Sequence, residues 1–401
     1  MQAIRTNEKK VCFIFGTRPE IIKIAPIVKE CEKNQIPFTL IHTGQHYSEN
    51  MDSVFLADLN MPPVNYNLAV GSGSHATQTA HMLTAIEETL LREKPAVVVV
   101  QGDTNTVLAG ALVAAKLHIP VAHVEAGLRS YDRTMPEEIN RIMTGSVATL
   151  HFAPTEKSKE NLLREGVDES TVYVTGNSIV DVMYENRSQA KRKSRIRRKL
   201  DLKKPYALVT LHRAENTDNK HRLQQILQAL KAIAETHDLT LVWPMHPRAK
   251  KQIETFGLTH LLNAIPQAYI IEPVKFFDMI ALQLGSKLII TDSGGVQEEA
   301  CILQVPCVTL RTSTERPESM DVGANVLAGY DPETIQSAVA HMLSTTCDWV
   351  NPFGDGTAAK QIVAVLGNLI EGRIASVKRT SDVVIHAQIP QAIRRMNQSA
   401  D

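Results

Sequence analysis

The residues able to do chemistry in this 401-residue chain collect where apolar runs end. Residues 11–15 lead into Gly16-Thr17-Arg18-Pro19-Glu20, and residues 96–100 into Gln101-Gly102-Asp103-Thr104-Asn105. Residues 121–124 carry His123 and end at Glu125-Ala126-Gly127, and residues 206–211 end at His212-Arg213. His246 follows soon after Trp243, and residues 287–291 lead into Asp292-Ser293-Gly294-Gly295. This last turn precedes Val296-Gln297-Glu298-Glu299-Ala300, a helix start. Small residues exposing N–H groups at a helix N-terminus bind phosphate, because unpaired donors and the helix dipole both favour an anion. The alternative is that Ser293 only caps the helix and the glycines ease a turn. Arg18, Lys23, Arg311 and Arg316 can complete a diphosphate site.

The acids around this turn supply a second kind of chemistry. Glu125 ends a strand, which places its carboxylate at the ligand end of a sheet. Asp103 reads either as an acid of the site or as a helix N-cap, with Leu108, Ala111, Leu112 and Ala115 as the buried face behind it. Glu137 and Glu138 follow Pro136 and suit a helix's first turn. His212 is a proton donor or a phosphate partner, whereas His123 reads as a satisfied core histidine. Several carboxylates and a histidine around a phosphate site point to acid–base chemistry on a nucleotide-linked substrate.

Positioning these groups requires strand ends that face one another. Short apolar runs alternate with helical patterns in both halves of the chain, at residues 11–15, 38–42, 96–100 and 121–124, then at 206–211, 240–243, 287–291 and 307–310. That alternation predicts an α/β fold with parallel sheets covered on both faces. Ligands bind such sheets beyond the strands' carboxyl ends, so two sheets facing each other enclose a cleft. In the first helix Ile21, Ile24, Ala25 and Val28 form the apolar face, and Pro26 is expected to kink or split it. The domains expected are residues 1–185 and 205–356, with 373–401 as a weakly patterned, poorly ordered tail. The basic run at 191–199 in the connection reads as a solvated helix rather than an RNA-binding patch.

Composition narrows the class. Hydrophobic residues at 43% and charged residues at 21% exclude wholesale disorder. Equal totals of 43 basic and 43 acidic residues argue against a general nucleic-acid binder. Five scattered cysteines without CxxC spacing argue against a disulfide framework or a structural zinc. His42 and His46 are a weak zinc pair, in a Thr-Gly-Gln turn rather than on a helix. No apolar run approaches membrane-spanning length, so the expectation is a soluble cytoplasmic enzyme. The P-loop, the G-x-G-x-x-G fingerprint after the first strand and the G-x-S-x-G elbow are all missing from the sequence.

Eight motifs in order resemble the non-hydrolysing UDP-N-acetylglucosamine 2-epimerases. They are GTRPE at 16–20 with Ile22-Lys23, GDT at 102–104, HVEAG at 123–127, PEEINR at 136–141, TGN at 175–177, DSGGVQEE at 292–299, TERPE at 314–318 and NPFGDG at 351–356. The resemblance spans residue 11 to about residue 372. It implies a glycosyltransferase-B-like fold of two Rossmann-like domains facing a cleft, with a C-terminal helix, about 357–372, returning to the first domain. It implies reversible interconversion of UDP-GlcNAc and UDP-ManNAc, by elimination of UDP to a bound glycal and re-addition, in a homodimer. A UDP-sugar is the implied ligand; no metal or nicotinamide cofactor is implied.

By the same resemblance, Asp103, Glu125 and Glu137 match acid–base carboxylates and His212 matches a catalytic histidine. Arg18, Lys23, Ser293, Gly294, Gly295 and Arg316 match diphosphate or active-site contacts, and Glu299 matches the carboxylate that holds the ribose hydroxyls. Two segments depart from the common bacterial pattern. His42-Thr43-Gly44-Gln45-His46-Tyr47 and Met245-His246-Pro247-Arg248 stand where many members help form a second, regulatory UDP-GlcNAc site, so the resemblance leaves that site open here. The first of these segments is also similar to a sister group acting on UDP-2,3-diacetamido-2,3-dideoxyglucuronic acid, whereas GTRPE and TGNSIVD favour the GlcNAc enzyme. A glycosyltransferase, a non-catalytic UDP-sugar binder and an NAD-dependent enzyme are the other classes to separate.

Overall fold

The computed structural model describes residues 9–44 and 55–373. His46 and the residues after Arg373 lie outside the described residues.

Two wholly parallel sheets organise the chain. The first contains β1 (Val11–Phe15), β2 (Phe38–His42), β3 (Tyr66–Asn67), β4 (Val97–Gln101), β5 (Val121–Val124), β6 (Leu150–Ala153) and β7 (Val172–Val174), in the order β3-β2-β1-β4-β5-β6-β7. The second contains β8 (Tyr206–Thr210), β9 (Thr240–Pro244), β10 (Ala268–Ile271), β11 (Leu288–Thr291), β12 (Cys307–Thr309) and β13 (Asn325–Leu327), in the order β10-β9-β8-β11-β12-β13. Strand order reverses between β1 and β4 in the first sheet and between β8 and β11 in the second. At such a switch point neighbouring crossovers leave in opposite directions and open a crevice at the carboxyl ends. Gly16-Thr17-Arg18 and Gly102-Asp103 flank one crevice; His212-Arg213 and Asp292-Ser293 flank the other. The expected α/β arrangement of two parallel sheets is present, and the chemistry-bearing turns sit where it opens.

The central strands are buried on both faces, which is why they read as continuous apolar runs. The helix Arg18–Lys33 buries Ile21, Ile24, Ala25 and Val28 as expected. Pro26 does not split it: the helix is continuous, and the buried ring removes only its own bond to the Ile22 carbonyl. In the helix Asn105–Lys116 Ala111 is buried as expected, but the rest of the buried face is Val107, Gly110 and Ala114, while Leu108, Leu112 and Ala115 are only half-buried. Gly110 lies there because a Cβ would come within 3.1 Å of Val100.

The C-terminal helix Ala358–Ile370 returns to the first sheet, burying Ile362, Val363 and Leu366 in the same core as Ile24 and Val28. Its first turn donates backbone N–H groups to Asp181 (Ala358 at 3.3 Å, Ala359 at 3.0 Å), a carboxylate at the positive end of the helix dipole. The basic run sits on exposed positions at the end of the helix Ser178–Lys193 and in the short helix Ile196–Lys199. Among the described residues all five cysteines are free, and no helix is long and apolar enough to cross a membrane.

Candidate active site

Glu125 occupies a backbone conformation that few side chains tolerate. Its φ is +67°, in the left-handed region, at a cost of about 1–3 kcal/mol. The turn is held from both sides, by Gly102 N–H to Val124 O (3.1 Å) and Ala126 N–H to Phe152 O (3.1 Å). Gly127 follows with φ +87°, where a Cβ would lie 2.2 Å from the Ser158 carbonyl oxygen. The close approach of helix and strand thus fixes where Glu125 points.

It points into a buried charge cluster spanning the two sheets. Lys23, from the first helix, donates to Glu125 and, at 3.0 Å, to Glu298 of the helix Gly294–Ile302. Arg316 reaches Glu125 at 3.3 Å and Glu298 at 2.9 Å, and pairs with Glu315. Gln101 and Asn177 donate to Glu125 (2.9 Å) and Glu298 (3.0 Å). Burial pushes the Glu125 carboxyl above its ordinary range, and Lys23 and Arg316 offset this only partly. Lys23 is itself raised: burial would lower it, but Glu125 and Glu298 outweigh that.

A second network joins the same sheets. Arg141, on the helix Pro136–Val147, pairs with Asp103 (2.5 Å) and Glu138 (2.7 Å) and lies 3.9 Å from Glu315. Glu315 also meets Arg311 at 2.9 Å and Arg213 at 3.9 Å. These guanidinium groups hold its carboxyl far below the usual range despite complete burial. Asp103 is not the N-cap: Thr104 caps Asn105–Lys116 by accepting from Val107 N–H, which leaves the Asp103 carboxylate to Arg141. Glu137 is half-buried in the first turn of its helix, 3.6 Å from Arg213, whereas Glu138 turns inward to Ser130, Tyr131 and Arg141.

His212 and Arg213 are set by the wholly buried Asp292, which accepts from the His212 N–H (3.1 Å), the Arg213 N–H (2.9 Å) and Asn216. The His212 ring stands 5.7 Å from that of His246, and burial lowers its pKa. Ser293 caps Gly294–Ile302 by accepting from Val296 N–H, and the turn stands against Arg316: a Cβ on Gly294 would lie 2.4 Å from that guanidinium. A Cβ on Gly295 would meet nothing within 4 Å. Arg18 lies over the Phe55 ring at 5.4 Å. Glu299 accepts from Gln283 at 2.5 Å, and burial raises its pKa to about 7.

Lys23, Glu125, Arg316 and the Gly294 turn therefore meet directly. Asp103 joins through Arg141 and Glu315, and Glu137 stands beside Arg213, next to His212. Arg18 and Glu299 have other partners at the edge of this group. Sequence reasoning missed Arg141, Glu298, Glu315 and Asp292. All four lie inside motifs it had singled out, which was the available signal.

His123 is a core histidine, as expected. Its Nε2 lies 2.8 Å from the Gly102 carbonyl, which can only accept, so Nε2 carries the proton. Burial lowers its pKa from 6.5 to about 4. Between those values this histidine is protonated in the unfolded chain but neutral in the folded one, so its contribution to stability falls as pH drops from about 6.5 to about 4. The contribution is on the order of 3 kcal/mol. His123→Gln keeps a donor for Gly102 but cannot titrate. Urea unfolding at pH 7 and pH 4.5 should show a smaller acid loss in this variant, and an unchanged loss would contradict the assignment.

Comparison with known proteins identifies the family. The family model described as UDP-N-acetylglucosamine 2-epimerase matches residues 29–367. The UDP-N-acetylglucosamine 2-epimerase of Methanocaldococcus jannaschii is 52% identical over 360 residues, 89% of this chain and 98% of that protein. The UDP-2,3-diacetamido-2,3-dideoxy-D-glucuronate 2-epimerase of Pseudomonas aeruginosa is 40% identical over 362 residues, 90% of this chain and all of that one. The crystal structure of the M. jannaschii epimerase in complex with UDP-GlcNAc and UDP aligns with a TM-score of 0.85 at 53% identity, covering 89% of this chain and 99% of that one. The chain belongs to the UDP-N-acetylglucosamine 2-epimerase family.

Proposed function

We propose that this protein interconverts UDP-GlcNAc and UDP-ManNAc by inverting C2 of the sugar. C2 is not next to a carbonyl, so removing its proton alone would leave an unstabilised carbanion. Loss of the proton from C2 together with cleavage of the C1–O bond gives a neutral glycal and UDP. Adding the proton to the opposite face of C2 and UDP back to C1 completes the epimerisation, with no net redox change. The bond to the leaving group and the bond to the proton sit on adjacent carbons, so a proton-transfer group and a diphosphate site must be neighbours.

One observation carries this reading: the Arg316 guanidinium lies against the Gly294 turn and 3.3 Å from Glu125. A single cation thereby links a phosphate-type helix terminus to a buried carboxylate with a raised pKa. In this reading Asp103, Glu125 and Glu137 transfer protons with His212, and Arg18, Lys23, Ser293, Gly294, Gly295 and Arg316 hold the diphosphate. Glu299 takes the ribose hydroxyls. The enzyme acts in the cytoplasm as a homodimer and needs no added metal or nicotinamide.

The test is proton NMR of the purified protein with UDP-GlcNAc in the presence of EDTA. UDP-ManNAc should accumulate to a fixed equilibrium ratio, reached also from UDP-ManNAc. UDP-2,3-diacetamido-2,3-dideoxyglucuronic acid should turn over more slowly. Saturable binding without product would indicate a binder, release of UDP only with an acceptor a transferase, and a requirement for NAD an oxidoreductase.

A further inference from the structure

Asp103 is held by its neighbours more firmly than a surface turn requires. Two consecutive residues of the helix Pro136–Val147 address it. Asn140 Nδ2 donates to the Asp103 carbonyl oxygen at 2.9 Å, and Arg141 donates to its carboxylate at 2.5 Å. Arg141 is almost wholly buried and is itself fixed from two further sides. Glu138, one turn earlier, accepts from it at 2.7 Å and is anchored by the Ser130 and Tyr131 N–H groups at 3.0 Å each. Glu315, from the second sheet's lobe, stands 3.9 Å away. Burial alone would make Arg141 less basic, but Asp103, Glu315 and Glu138 more than offset this, so it is a cation throughout the working range. A planar guanidinium with fixed donor directions, clamped at one end, restricts the orientation of whatever carboxylate it meets at the other.

We infer that Arg141 is a positioning residue for the epimerisation, fixing the Asp103 carboxylate in the cleft without itself touching the sugar. This rests on the reading of Asp103 as a proton-transfer group. A displacement of about 1 Å in such a group can cost on the order of 10²-fold in rate. Arg141→Gln therefore lowers kcat about 10²-fold, with KM and UDP affinity within about threefold of the wild type. Arg141→Lys keeps the charge but loses the fork and falls between the two.

The decisive measurement is a double-variant cycle in the full-length enzyme, with kcat from NMR conversion of UDP-GlcNAc and UDP affinity by calorimetry. Arg141→Gln combined with Asp103→Asn should be no slower than Asp103→Asn alone, because the residue being positioned is already disabled. Multiplicative losses, or normal kcat in Arg141→Gln, would overturn the inference. If Arg141→Gln does not fold, the same cycle with Arg141→Lys decides. A wild type that does not epimerise would refute the proposed function instead. Normal turnover in Asp103→Asn would remove the role of Asp103 and this inference with it, leaving the epimerase reading intact.

Discussion

Glu125→Gln should lower turnover by at least about 10²-fold, the loss typical of removing a general acid or base, while UDP binds no more weakly than to the wild type. Glutamine keeps the shape of the side chain and an oxygen that can accept from Lys23, so the buried contact survives. What it removes is the ability to exchange a proton and one negative charge. Lys23, Arg316, Glu125 and Glu298 form a cluster of two cations and two carboxylates. Glu315 also pairs with Arg316, so losing one carboxylate makes the cluster less negative, which favours an anionic ligand. Turnover and UDP affinity are thus expected to move apart, a separation that general destabilisation does not produce. Asp103→Asn and Glu137→Gln should also cost at least about 10²-fold. Glu137 is half-exposed and paired only at 3.6 Å, so its variant should leave thermal stability unchanged. NMR rates and calorimetric UDP titrations on each variant check this. Near-normal turnover in Glu125→Gln would reduce that residue to a structural ion pair.

Gly294→Ala should weaken UDP binding by at least about tenfold, which corresponds to about 1.4 kcal/mol. The added methyl carbon would lie 2.4 Å from the Arg316 guanidinium and 2.6 Å from Glu315 Oε1. A side-chain end on the surface would simply swing away. Here both groups are buried, and Arg316 is held at once by Glu315, Glu298 and Glu125, so moving it breaks the cluster between the lobes. Gly295→Ala is the control, because its added carbon would meet nothing within 4 Å beyond its own chain neighbours and helix backbone. That variant should melt like the wild type; any loss of UDP affinity it shows would mean that the ligand occupies that space. Equal UDP affinity in Gly294→Ala and the wild type would place the diphosphate elsewhere.

All inner strands but β6, together with their carboxyl-end turns, were legible in the sequence for one physical reason: a strand covered on both faces must be apolar throughout, and its end must turn sharply. β6 carries His151 in its run and did not stand out. Edge strands lack that signature. β3 has only two residues, and β10 exposes Tyr269 and Ile270, so neither stood out. Site residues were legible singly but not as pairs. Glu125 and Arg316 are 191 positions apart, and only the fold shows that they touch. Arg141 and Glu298 sat unremarked beside better-known neighbours because a charged residue in a helix reads as solvated until its burial is known. Asp103 misled in another way. Asp and Thr both suit a helix N-cap, and the competition between Asp103 and Thr104 is settled by Arg141, a partner 38 residues downstream.

The reversible elimination is best tested by running the conversion in D₂O from UDP-GlcNAc and following C2 by NMR. A C2 proton taken up by the proposed carboxylates is expected to exchange with solvent before re-addition, so deuterium should appear at C2 of both UDP-sugars as equilibrium is approached, with free UDP and free glycal only a minor leak. Stoichiometric release of UDP with free ManNAc would contradict reversible epimerisation, and epimerisation with no deuterium at C2 would contradict proton transfer through solvent-exchangeable groups.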